Sequence, residues 1–133
     1  MRYKVAEATH LYNMACKYDL SGAKLLKDTE KVVRYCNGIG SEWMPDCMTN
    51  LCTKLNPIME IPAAIHDMRY VLGTTRADRQ AADMEFWSNT IKVIEANYAW
   101  WNPMRYIMMR RATRYYTYLR LFGDAAWEAA KKQ

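Results

Sequence analysis

The sequence predicts an all-α protein, and three observations carry that prediction. Apolar residues recur with the 3.6-residue period of a helix through most of the chain. The 133 residues include only five glycines and four prolines, too few for the many turns of an all-β domain. Apolar types make up 51% of the chain and charged types 25%, which favours a packed core over disorder. We therefore expect residues 1–133 to form one compact helical domain, with a long ordered loop ahead of a central antiparallel helix pair.

The first part of the chain predicts one helix and then the long loop. Ser21 is suited to cap a helix that ends near residues 36–38. That helix would carry Leu25, Leu26, Thr29, Val32 and Val33. Residues 37–57 contain two glycines and two prolines, which predicts an irregular connection. A loop of this length in a compact domain is usually functional or held by contacts.

Two helices then form the predicted central pair. Pro62 suits the first turn of a helix and Gly73 its end. The apolar face of this first helix would comprise Ile65, Met68 and Leu72. Thr74 or Thr75 begins the second helix, which extends to about Asn97. Its apolar stripe would comprise Met84, Trp87, Ile91 and Ile94.

The C-terminal part predicts a long helix and a short one. Pro103 begins the long helix and Gly123 ends it, with residues 124–132 forming the last helix. The residues at core spacing in the long helix are Met104, Met108, Ala112, Tyr115, Leu119 and Phe122.

The net charge of +5 lies in this C-terminal part. Residues 1–97 carry 12 basic and 12 acidic side chains, whereas residues 98–133 carry seven basic and two acidic ones. Nine of the 17 aromatic residues also fall between Tyr98 and Trp127. A basic aromatic segment is suited to an anionic membrane surface or to nucleic acid. An ordinary core helix with solvated arginines explains the same pattern, and we rank the membrane surface above nucleic acid among the partners.

Other classes of protein are disfavoured by the sequence. No apolar stretch approaches the roughly 20 residues that a bilayer span needs. The first residues lack the apolar region of a secretory signal. The four cysteines form no C-x-x-C pair, so we expect free or buried thiols and no zinc site.

Asp83 is the residue that breaks the helical pattern most informatively. It falls within the apolar stripe of its helix, and an unpaired buried carboxylate costs several kcal/mol. His66 and Tyr70 lie one turn apart on the preceding helix, so both can reach Asp83. A histidine held by a buried carboxylate is one half of a general-base pair. A structural hydrogen-bond network inside a helical core explains the same spacing, and both interpretations stay open at this point.

Three motifs resemble the phospholipase A2 superfamily, in its disulfide-poor bacterial and viral branch. Residues 65–70 read IHDMRY and residues 82–86 read ADMEF, similar to the paired helices of that superfamily. Residues 35–40 read YCNGIG, similar to its calcium loop. The chain also resembles an uncharacterised family of small bacteriophage proteins that share both helix signatures and a basic helix ending near an aromatic-Gly dipeptide, here Phe122 and Gly123.

This resemblance implies a calcium-dependent ester hydrolase acting on phospholipid. His66 would be the general base, Asp83 would orient it, and Tyr70 would donate a hydrogen bond to Asp83. Asp67 and the carbonyl groups of Gly38 and Gly40 would bind Ca²⁺, which prefers oxygen ligands. The resemblance implies a phage-encoded protein located in the virion or the host cytoplasm.

The alternative is a non-catalytic phage structural or accessory protein. It would keep the helix pair as a scaffold and use the basic helix to contact capsid, tail or nucleic acid.

Overall fold

A computed structural model describes residues 3–36, 54–55 and 57–132 of the chain. These residues form six α-helices and one short 3-10 helix, with no strand among them, which confirms the all-α prediction. The α-helices are α1 (Val5–Lys17), α2 (Thr29–Tyr35), α3 (Glu60–Leu72), α4 (Arg76–Asn97), α5 (Pro103–Phe122) and α6 (Asp124–Lys131). Within the described ranges, every helix is too short or too polar to cross a bilayer. Most of the predicted long loop lies outside the described residues.

The helix predicted to begin at Ser21 is two elements. The 3-10 helix covers Ala23–Leu26, and α2 begins only after Asp28, whose carboxylate accepts a hydrogen bond from the Lys31 backbone. Ser21 does not cap a helix, because its hydroxyl donates to Glu85 of α4 at 2.7 Å. A contact between distant parts of the chain has therefore replaced the local capping role.

The central pair of helices, α3 and α4, is antiparallel as predicted. Gly73 ends α3, and Thr75 caps α4 in a capping box with Asp78. The short turn between them folds α4 back along α3, and Arg69 fastens the pair through two hydrogen bonds to Glu85 at 3.0 and 3.1 Å. This turn brings residues near 66–70 of α3 opposite residues near 79–86 of α4.

The buried face of α4 differs from the predicted stripe. Met84 and Trp87 are exposed, although Ile94 is fully buried as predicted. Asn89 and Thr90 take the buried positions instead, because each has a partner for its polar atoms. Asn89 exchanges two hydrogen bonds with the Ser21 backbone, and Thr90 donates to the Phe86 carbonyl oxygen.

Helix α5 has the predicted core in its middle and not at its ends. The buried residues are Met108, Ala112, Tyr115 and Leu119, which pack with Phe86 and Ile94 of α4. Met104 and Phe122 are exposed, which corrects the prediction for both. Leu72, predicted as core at the end of α3, is also exposed.

Candidate active site

The fold brings His66, Tyr70 and Asp83 together, as the sequence predicts. His66 Nε2 lies 2.7 Å from Asp83 Oδ1, and the Tyr70 hydroxyl donates to the same oxygen at 2.6 Å. The position of each residue follows from the antiparallel pair, since His66 and Tyr70 lie one turn apart on α3 and face α4. Asp83 is completely buried, and His66 is only 7% exposed. The pairing predicted from the misfit of Asp83 is therefore present.

Aromatic rings enclose the imidazole of His66. The Tyr70 ring centroid lies 4.1 Å from that of His66, and the Phe86 ring lies 5.3 Å away. Trp127 of α6 then packs edge-on against Tyr70 at 5.1 Å. These contacts fix the orientation of the ring and exclude most water from it.

Arg120 is a partner of Asp83 that the sequence analysis missed. Its Nη1 donates to Asp83 Oδ2 at 2.7 Å, and its side chain is one-third exposed. The sequence gives no signal for this contact, because it depends on how α5 lies across α4.

Arg79 is a second missed residue, and it connects four helices. Its Nε lies 3.9 Å from Asp83 Oδ2 and donates to the Tyr70 hydroxyl at 3.4 Å. Its Nη1 pairs with Asp124 of α6, and its Nη2 donates to the Leu119 carbonyl oxygen at the end of α5. The four-residue spacing between Arg79 and Asp83 on one helix was the available sequence signal.

The carboxyl of Asp83 is held in its ionised form. Burial acts to raise its pKa, but the hydrogen bond and charge of His66, with the hydrogen bonds of Tyr70 and Arg120, lower the pKa below its ordinary value. Burial and the nearby Asp83 charge raise the pKa of Tyr70 well above its usual range, so Tyr70 remains a hydrogen-bond donor. Asp83 is thus an anion that accepts from every partner.

The ionised state of Asp83 determines how His66 bonds to it. A carboxylate only accepts hydrogen bonds, so Nε2 of His66 is the protonated nitrogen. In the neutral imidazole the lone pair then lies on Nδ1, the atom that can take a proton from water. The arrangement can therefore act as a general base with an orienting carboxylate.

Asp67, the predicted Ca²⁺ ligand, lies on the side of α3 near Cys36. Burial raises the pKa of the Cys36 thiol, and the negative charge of Asp67 raises it further. Cys36 also donates from Sγ to the Ala64 carbonyl oxygen at 3.4 Å. Gly38 follows two residues after Cys36, but Gly38 and Gly40 lie outside the described residues. The chain thus approaches Asp67 immediately before the predicted glycine ligands.

The oxygen chemistry of this donor set fits Ca²⁺, since a carboxylate and backbone carbonyl groups are its usual ligands. Within the described ranges, no three His, Cys, Asp or Glu side chains cluster as a metal site. Comparison with protein-family models, curated proteins and solved structures finds no match for this chain.

Proposed function

We propose that this protein is a phospholipase A2-like, calcium-dependent ester hydrolase that acts on phospholipid and is encoded by a bacteriophage. The observation that carries the proposal is the 2.7 Å contact between His66 Nε2 and the buried, ionised Asp83. The three motifs that resemble the superfamily supply the substrate class. We place the protein in the virion or the host cytoplasm.

In the proposed mechanism, Nδ1 of His66 takes a proton from a water molecule, which attacks the ester carbonyl carbon. Asp83 stabilises the imidazolium that forms, and Tyr70 keeps the carboxylate in position. Collapse of the tetrahedral intermediate breaks the ester C–O bond, and His66 returns its proton to the departing alcohol. The products are a fatty acid and a lysophospholipid.

The predicted calcium ligands are Asp67 with the carbonyl groups of Gly38 and Gly40. Bound Ca²⁺ would supply a positive charge that polarises the ester carbonyl group.

The exposed surface of α5 supports an anionic membrane as the partner. The helix has five arginines and no acidic residue. Arg105 and Arg120 turn inward to Glu95 and Asp83. Arg110 and Arg114 are exposed, four residues apart on one face.

Large apolar side chains are also exposed on this helix and just before it. Trp100 is 74% exposed and Trp101 68%, and both precede the helix, while Ile107 and Leu121 are exposed along it. Exposed tryptophan and arginine side chains suit the interface of an anionic bilayer. We call Trp100, Trp101, Ile107, Arg110, Arg114 and Leu121 the outer face.

The hydrolase proposal is tested by fatty-acid release from phosphatidylglycerol vesicles. We expect release that requires Ca²⁺ and stops with chelator. His66→Gln should reduce it to background, whereas His10→Gln, which changes an exposed histidine, should retain it. Equal background from wild type and His66→Gln would refute the proposal.

Membrane binding is tested separately by vesicle co-sedimentation. Replacing both Arg110 and Arg114 by Gln should weaken binding to anionic vesicles and leave binding to neutral vesicles unchanged. Tight binding to single-stranded DNA that weakens with salt, without vesicle binding, would instead support the nucleic-acid partner.

The network around Asp83 also favours a second candidate, a non-catalytic phage structural or accessory protein. Both oxygens of Asp83 are occupied by His66, Tyr70 and Arg120, as in a structural network that joins three helices. The outer face would then contact capsid, tail or nucleic acid. In that case His66→Gln leaves phage assembly unchanged and no ester hydrolysis occurs.

A further inference from the structure

Two different helices donate hydrogen bonds to the carboxylate of Asp83, one to each oxygen. Oδ1 accepts from His66 and Tyr70 of α3, and Oδ2 accepts from Arg120 of α5 at 2.7 Å. A carboxylate held at one oxygen only can rotate about its Cβ–Cγ bond. The hydrogen bond from Arg120 to Oδ2 opposes that rotation and keeps Oδ1 directed at the imidazole.

The position of Arg120 is itself fixed from α4. Arg79 Nη2 lies 3.4 Å from the Arg120 carbonyl oxygen and 3.2 Å from that of Leu119, so it satisfies backbone acceptors in the last turn of α5. Arg79 is largely buried, with 12% of its side chain exposed. The end of α5 is therefore attached to the helix that carries Asp83.

Gly123 leaves the space that this attachment needs. A Cβ at this position would lie 2.8 Å from Arg79 Nη2 and 3.2 Å from the Tyr70 hydroxyl, and it would clash with the Leu119 carbonyl oxygen. The backbone φ of Gly123 is −73°, which any residue adopts, so the need for glycine is steric. This gives a physical role to the glycine that follows the basic helix.

We infer that Arg120 is a positioning residue for the proposed hydrolase: it holds Asp83 so that the other carboxylate oxygen stays on His66. This inference rests on the proposed function, and it adds a residue of α5 to a site otherwise built from α3 and α4. Arg120 does not touch the proposed reacting atoms and acts only through Asp83.

The charged and polar groups around Asp83 allow this role to be separated from a purely structural one. Tyr70, Arg79 and Arg120 are the described groups that accompany His66 at the carboxylate, with Asp124 beyond Arg79. Because Arg120 is partly exposed, its loss leaves room for water, and the folded state can persist while the carboxylate turns.

The test compares three variants by steady-state hydrolysis of phosphatidylglycerol vesicles at a temperature where all remain folded. Arg120→Met should lower kcat about 10- to 100-fold with KM changed less than twofold, because misplacement by about 1 Å has effects of this size. Arg120→Lys keeps the charge and should recover part of the loss. Arg105→Met is the matched control, since Arg105 lies on the same helix and pairs with Glu95 at 2.8 Å, away from the site.

A double-mutant cycle tests whether Arg120 acts through Asp83. In the Asp83→Asn background, Arg120→Met should have little further effect on kcat. Equal kcat values for Arg120→Met and Arg105→Met, or full additivity in the cycle, would overturn this inference alone. A wild-type protein without Ca²⁺-dependent activity would overturn the proposed hydrolase and this inference together.

Discussion

Replacing Asp83 by Asn should destabilise the protein strongly, because this carboxylate is the centre of a buried network. The substitution keeps the shape and removes the charge. It leaves Arg120 facing a neutral amide, and it weakens the bonds from His66 and Tyr70. Removing one partner of a buried ion pair lowers stability by about 3–5 kcal/mol.

The exposure of Arg120 places the expected loss at the lower end of that range. One-third of its side chain is accessible, so its guanidinium can regain water after the change. We therefore expect a loss of about 3 kcal/mol in the free energy of unfolding. In a chain of this length that corresponds to a fall in Tm of roughly 10 °C.

Urea and thermal unfolding at pH 7, followed by far-UV circular dichroism, measure this effect. Asp124→Asn is the matched control, since Asp124 also pairs with Arg79 but its side chain is 78% exposed. An exposed ion pair contributes about 0–1 kcal/mol. If the losses in free energy of unfolding for Asp83→Asn and Asp124→Asn differ by less than about 1 kcal/mol, the buried network around Asp83 does not stabilise the fold as argued.

Three further predictions concern the same network. Folding lowers the pKa of Asp83, so its ionised form stabilises the protein above about pH 4. That contribution disappears as the pH falls through the pKa of the folded state. Urea unfolding midpoints measured between pH 2 and 7 should therefore fall more steeply with decreasing pH for wild type than for Asp83→Asn. Tyr70→Phe removes the hydroxyl that donates to Asp83 and should lower the free energy of unfolding by about 1–2 kcal/mol. Tyr106→Phe on the exposed surface should lower it by less than about 0.5 kcal/mol. Equal losses for the two variants in chemical denaturation would contradict this prediction. Gly123→Ala should lose about 1–3 kcal/mol through the clash with Leu119, and a variant more stable than wild type in thermal unfolding would show that the last turn has room for a methyl group.

The boundaries of α3, α4 and α5 were largely predictable because they are encoded locally, whereas α1 was not predicted and the helix expected from Ser21 is two elements. Thr75 caps α4 as the N-cap preference predicts, and Gly73 and Gly123, the predicted ends of α3 and α5, follow the last residues of those helices. The pairing of Asp83 was predictable for a different reason. Its carboxylate lies among apolar positions of the helix, and a buried carboxylate needs hydrogen-bond partners.

The remaining features depend on contacts between helices. Asn89 and Thr90 are polar and were not expected in the core. Each has a hydrogen-bond partner there, and the periodicity of apolar residues does not predict such partners. Arg120 was one of five arginines on one helix, and its inward direction follows from the place where α5 crosses α4. The charge excess of the C-terminal segment is therefore a mixture, in which some arginines complete the interior and others form the outer face.

His66 separates the two proposed functions, because each needs it for a different reason. A scaffold uses only the Nε2–H donor that reaches Asp83 at 2.7 Å, and the amide of glutamine also offers a donor. Catalysis needs the second nitrogen as a proton acceptor, which glutamine does not supply. His66→Gln should thus lose about 1 kcal/mol of stability and all hydrolysis, whereas Asp83→Asn loses much of both. Activity and stability measured together on these two variants distinguish a general base from a structural histidine, since a scaffold loses stability in proportion to its broken contacts and has no hydrolysis to lose.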